Sequence, residues 1–98
     1  MDALSATSLS GMQASRLGMD VAAFNVANGS TPGFHRQQAV MTSASPGVSA
    51  SVRTAPDEGP APEEDRVGLL VARNGFLANL AVFRTAASTT RSLLHVLA

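Results

Sequence analysis

Apolar and small residues recur along the first quarter of the chain in alternating steps of four and three: Ser10, Ala14, Leu17, Val21, Phe24 and Asn28. Leu4, Leu9, Met12 and Met19 widen that stripe. Such steps trace one face of a helix, so a helix is expected from about Ala3 to Asn28. At ~1.5 Å per residue it would be roughly 38 Å long. Asn28-Gly29 is a natural stop, since both residues tolerate the left-handed backbone that closes a helix.

From Ser30 to Pro62 the helical period is lost, and Ser, Thr, Gly and Pro dominate. Thr31-Pro32-Gly33 reads as a turn, with Pro setting φ and Gly tolerating the bend after it. Val48, Ala50, Val52 and Thr54 then alternate with Ser49, Ser51 and Arg53, a strand period. Ala39 to Thr42 can pair with that run across Ser45-Pro46-Gly47. A short, weak β-hairpin is expected here, followed by a linker from Pro56 to Pro62.

A second helix is expected to start at Pro62-Glu63-Glu64-Asp65. Proline suits the first helical turn, and acids there complement the helix dipole as a solvated helix start. Leu69, Arg73, Phe76, Leu80, Phe83, Ala87, Thr90, Leu94 and Leu97 repeat in steps of four and three to the end of the chain. That is a coiled-coil seam of four heptads, weakened only by Gly68 and Gly75. Arg91 and His95 fall in the last turns, where cations are favoured.

The expected fold is therefore mainly α. Two long terminal helices pack as an antiparallel coiled-coil hairpin around a short irregular or β-hairpin insert. The segments are 1–34, 35–62 and 63–98, together one domain. With 98 residues, no Trp or Tyr and four Phe, the core must come from Leu, Val, Ala and Met. The middle segment adds little apolar mass, so stable folding is expected to need partners.

Charge and composition remove several classes of function. Seven Arg balance seven Asp plus Glu, which gives no electrostatic reason to expect nucleic acid or an anionic membrane; no nucleic-acid partner and no membrane insertion is expected. Without Cys there is no disulfide framework and no thiolate metal site. The first segment is interrupted by Arg16 and Asp20, so it reads neither as a cleavable signal nor as a membrane span.

Asn25-Val26-Ala27-Asn28-Gly29-Ser30-Thr31-Pro32-Gly33-Phe34-His35-Arg36 resembles the signature that closes the first helix of flagellar basal-body rod and hook proteins. That signature reads roughly A-N-N-I-A-N-x-x-T-P-G-F-x-R. Leu9 to Ala14 looks like the family's A-L-S-G-M-x-A opening. Phe76-Leu77-Ala78-Asn79-Leu80-Ala81-Val82-Phe83-Arg84-Thr85-Ala86 is similar to its C-terminal Y-E-A-N-x-x-V-I-x-T-A. The resemblance implies a structural axial subunit of the rod or hook, assembling through its terminal helices with itself or other axial proteins. It also implies passage through the flagellar type III export apparatus and residence in the basal body.

On chemistry alone, the Asn25 and Asn28 amides can bond to free helix-end carbonyls or to a neighbouring subunit. Thr31 can hold the turn made with Pro32 and Gly33, and Phe34 can plug the space after it. Phe76, Asn79, Leu80, Phe83 and Thr85 are the expected C-terminal packing face. The runner-up to an axial subunit is a helical-hairpin module that docks on one export or regulatory partner without polymerising.

Catalytic and metal readings find little support. No G-x-S-x-G elbow and no phosphate-cradling Gly loop is present. His35 and His95 lack ligand-spaced partners and read as surface residues. Glu58, Glu63, Glu64 and Asp65 lack the spacing of a calcium loop. Asn28-Gly29-Ser30 matches a glycosylation triplet, but the helix-end role accounts for Asn28 better. No enzyme activity and no cofactor is expected.

Overall fold

A computed structural model describes residues 3–97. It contains α1 (Ala3–Ala27), β1 (His35–Ser43), β2 (Val48–Glu58) and α2 (Pro62–Leu97). The protein is mainly helical, with a two-stranded antiparallel sheet between the helices. It is 62 Å long, and its radius of gyration is 17.1 Å. A compact chain of this length would have a radius of about 13 Å.

The helices run antiparallel, as residue contacts along them show. The Asn25 side chain lies 3.1 Å from Asp65. Gly18 faces Ala72, Ser15 faces Gly75 and Gly11 faces Asn79. Position falls along α2 as it rises along α1. The contact is made by small residues: a Cβ added to Gly11 would lie 2.6 Å from the Asn79 amide nitrogen, and one on Gly75 would lie 2.9 Å from Ser15 Oγ. Glycine lets the two backbones approach to a distance that larger side chains would forbid.

The α2 stripe against α1 therefore runs through Asp65, Ala72, Gly75, Asn79 and Ala86. It lies one position before the seam expected from hydropathy. Phe76, Leu80 and Phe83 are only half-buried, and Leu69, Arg73 and Leu94 are exposed. Hydropathy marks where apolar mass sits, whereas this contact is selected by small size.

The hairpin is longer than its alternation suggests. β1 and β2 pair from Ser43↔Val48 out to His35↔Glu58, with an irregularity between His35 and Gln37. The expected linker is thus shortened, because Pro56, Asp57 and Glu58 belong to β2. Proline is tolerated there because both strands of a two-stranded sheet are edges. The hairpin lies along α1, with its tip at the far end. Val48 N–H donates to Ser10 Oγ at 3.1 Å, and Gly47 (φ +87°) sits so close that any side chain would strike Ser10.

Few large side chains are buried. The apolar core comprises Met12, Ala14, Val21, Ala22, Ala55 and Ala86, and the largest fully buried side chain is the amide of Asn25.

Candidate functional site

The corner is built from the end of α1. Asn28 Nδ2 donates to the Phe24 carbonyl at 2.9 Å, satisfying one of the carbonyls that a helix end leaves free. Thr31 N–H donates to the Asn28 carbonyl at 2.9 Å, and Phe34 N–H to the Thr31 carbonyl at 3.2 Å. The Thr31 hydroxyl reaches Asn28 Oδ1 at 3.5 Å. Gly33 has φ +70°, a left-handed conformation that disfavours a side chain. Phe34 folds back on Phe24, with ring centroids 5.7 Å apart.

Asn25 does not cap its own helix, as its spacing from Asn28 would suggest. Its Nδ2 donates to the Gln37 carbonyl at 2.9 Å and to Asp65 Oδ1 at 3.1 Å. Its Oδ1 accepts the Gln37 N–H at 2.8 Å. One side chain thereby ties α1, β1 and α2 together, and it is 2% exposed.

Asp65 corrects the expectation of a solvated helix start. It is 3% exposed, while Glu63 and Glu64 remain in solvent. Arg36 grips it from β1, with Nη2 donating to Oδ1 and Nε to Oδ2 at 3.4 Å. Arg36 Nη1 also reaches Glu64 Oε2 at 3.3 Å. The side-chain hydrogen bond to Asp65 raises the Arg36 pKa above its ordinary value, helped by the charges of Asp65 and Glu64 and opposed by burial. Among the described residues, no buried side-chain polar atom lacks a partner.

His35 is half-buried rather than a free surface residue. Its Nδ1–H donates to the carbonyl of buried Ala55 at 3.0 Å, and its Nε2 lies 3.9 Å from Glu58. Asn79 Nδ2 donates to the Gly75 carbonyl at 2.9 Å while the amide packs on Gly11. Thr85 Oγ1 bonds only back to the Ala81 carbonyl, at 3.0 Å, and is exposed. The structure therefore brings Asn25, Asn28 and Thr31 to Phe34 together at the corner. Phe76, Asn79, Leu80 and Phe83 line up beside α1, further along the molecule, and Thr85 faces away.

Arg36 and Asp65 are the pair that composition and spacing did not single out. Arg36 stands inside the resemblance block at its last position. Nothing in the acidic triplet at 63–65 marks Asp65 as the buried member, except that it shares the helical stripe of Ala72 and Gly75.

Two further features surround this cluster. A groove of about 450 Å³ lies between β1, α1 and α2, with Met41, Gly18, Val21, Gly68, Val71 and Ala72 among its walls. The outer face of α2 exposes Val67, Leu70 and Leu77, and its end exposes Leu93, Leu94, Val96 and Leu97. Among the described residues, α2 is the one helix long and apolar enough to cross a membrane, by length and composition.

The arrangement defines a class: a two-helix scaffold with a polar-keyed corner and unpartnered apolar surface. No known family matches the chain, and no curated protein matches it significantly.

Proposed function

We propose that this chain is a structural axial subunit of the bacterial flagellar rod or hook, assembling through its terminal helices. The observation that carries the reading is the apolar surface of α2. A protein that exposes Leu70, Val71, Leu77, Leu93, Leu94, Val96 and Leu97 on one long helix has surface to share. The half-buried Phe76, Leu80 and Phe83 belong with it. They flank α1 on one side and are open on the other, as residues of a coiled-coil seam between subunits would be. The resemblance supplies the setting, since Asn25 and Arg36 of the first block are the residues that shape the corner. In this setting the chain travels through the flagellar type III apparatus and takes its place beside itself or other axial proteins.

The test is to locate a tagged copy in purified basal bodies. Co-purification with the rod or hook, together with lost motility in a deletion strain, is the expected result. A tagged copy absent from those structures in a strain of normal motility would overturn the reading. Sedimentation separates polymerisation from one-to-one docking: a growing series of species belongs to an axial subunit, and a single complex to a docking module.

A further inference from the structure

The chain has no net charge, yet its charge is unevenly spread: at the corner end, where Arg36 and Arg66 stand, the acids outnumber the cations. Asp57, Glu58, Glu63, Glu64 and Asp65, five of the seven acids, lie at the corner end. After Asp65 there is no acid at all, while Arg66, Arg73, Arg84, Arg91 and His95 succeed one another at intervals of seven, eleven, seven and four. At ~3.6 residues per turn these intervals are close to whole turns, so the cations form one stripe along α2. Asp65 is committed to Arg36, but Asp57 and Glu63 are exposed.

The apolar contact is unfinished at the same basic end. α2 has 36 residues against 25 in α1, and the stripe that faces α1 through Gly75, Asn79 and Ala86 continues to Leu93 and Leu97. These two are 60% and 83% exposed. The groove between β1, α1 and α2 has Glu64 and Asp65 of the acidic end among its walls. An added Cβ at Gly68 in its wall would meet no atom within 4 Å. In a molecule 62 Å long, the tail cannot reach its own groove.

We infer that the basic, leucine-bearing tail of α2 docks on the acidic corner end of a second copy of this chain. The leucines enter that copy's groove, and Arg84 and Arg91 face Asp57 and Glu63. Two different patches meet, so the contact is heterologous and repeats head to tail, as a closed ring or an open filament according to its rotation. The inference rests on the self-assembling part of the proposed function, not on its flagellar setting.

The experiment is sedimentation velocity of the full chain across concentration and salt, with two charge-reversed variants. One is Arg84→Glu with Arg91→Glu, and the other is Asp57→Arg with Glu63→Arg. The wild type should associate, at least tenfold more weakly at high salt, and each variant alone should be monomeric. An equimolar mixture of the two should recover association, because reversed tail meets reversed corner. Gly68→Leu, which fills the groove at a position with open space, should weaken wild-type association at least tenfold with unchanged circular dichroism. Association equal in all variants would overturn the proposal. So would a salt-insensitive monomer that binds phosphatidylcholine–phosphatidylserine vesicles, which would mark the tail as a membrane-surface helix. Head-to-tail association by a chain missing from basal bodies would remove only the flagellar reading. A chain found there without this charge dependence would remove only the stacking.

Discussion

The side-chain amide of Asn25 and the backbone of Gln37 exchange two hydrogen bonds, one in each direction, at 2.9 and 2.8 Å. This is the exchange a neighbouring strand would make with β1. One helical side chain thus covers a stretch of sheet edge that would otherwise offer free donors and acceptors.

Removing that amide should be costly. Asn25→Ala leaves the Gln37 N–H and C=O unpaired in a part-buried site, at up to about 1–3 kcal/mol for each unsatisfied group. Asn28→Ala removes the exposed bond to the Phe24 carbonyl and the long one from the Thr31 hydroxyl, and should cost about 0.5–1.5 kcal/mol. Urea unfolding at one low protein concentration should show a clearly larger drop for Asn25→Ala. Equal midpoints would mean that the corner does not depend on the strand-like exchange.

Arg36 and Asp65 should behave as a coupled pair. Breaking a buried pair by removing one partner typically costs about 3–5 kcal/mol, while replacing both with apolar residues costs less. Arg36→Met and Asp65→Leu should each destabilise strongly, and the double variant by less than their sum. A double-mutant cycle measures the coupling, and additivity would show that the two do not act together. The Arg36 pKa is raised, so its contribution is complete below the unfolded value and fades only as pH climbs through the raised one. Stability curves at neutral and mildly basic pH should therefore show no loss from this arginine.

The glycines of the helices should separate by what surrounds them. Gly68 has open space, so Gly68→Ala should stabilise by about 0.5–1 kcal/mol through higher helix propensity. At Gly11 an added Cβ would meet three atoms of the Asn79 side chain at 2.6–2.7 Å. Gly11→Ala should instead destabilise, since Asn79 must leave its bond to the Gly75 carbonyl. Thermal unfolding of the two variants should move in opposite directions, and a parallel rise would mean that the helices have room to spare.

Much of this architecture is legible in the chain because it obeys periodicity. The steps of four and three mark α1 to within a residue of its end at Ala27, and Pro62 opens α2 as its position suggests. The pairing of Ala39 to Thr42 with the Val48 strand across Pro46 comes from alternation. What is not legible is selected by something other than apolar mass. Gly11, Gly18 and Gly75 look like weak points of helices, yet they are where the helices meet. Asp65 is indistinguishable from Glu63 and Glu64 by composition, and only its contact with Arg36, twenty-nine positions away, makes it structural. Pro56 looks like a linker residue, but a two-stranded sheet accepts it.

Phe83 and Arg84 test whether the flank of α2 is shared between subunits. Phe83 is half-buried and Arg84 exposed. Phe83→Ala should cost the lone chain less than the ~3–5 kcal/mol of a fully buried phenylalanine, and should cost assembly more. Each ~1.4 kcal/mol moved onto association is tenfold in affinity. Arg84→Ala should cost monomer stability no more than ~0–1 kcal/mol. Concentration-dependent sedimentation alongside monomer unfolding separates the two effects. A loss confined to monomer stability would place Phe83 inside one chain only.

The narrow stripe between the helices has a mechanical consequence. A slide of α2 by one heptad, ~10 Å, would bring Asn79 against Gly18 but would also set Val82 in the place of Gly75, where an added Cβ would already lie 2.9 Å from Ser15 Oγ. The small-residue contact therefore resists travel as well as permitting close approach. The corner adds a second stop, because Asn25 and Arg36 hold Asp65 and would lose it after the shift. The register is thus latched twice, by sterics midway along the helices and by the buried polar cluster at their end.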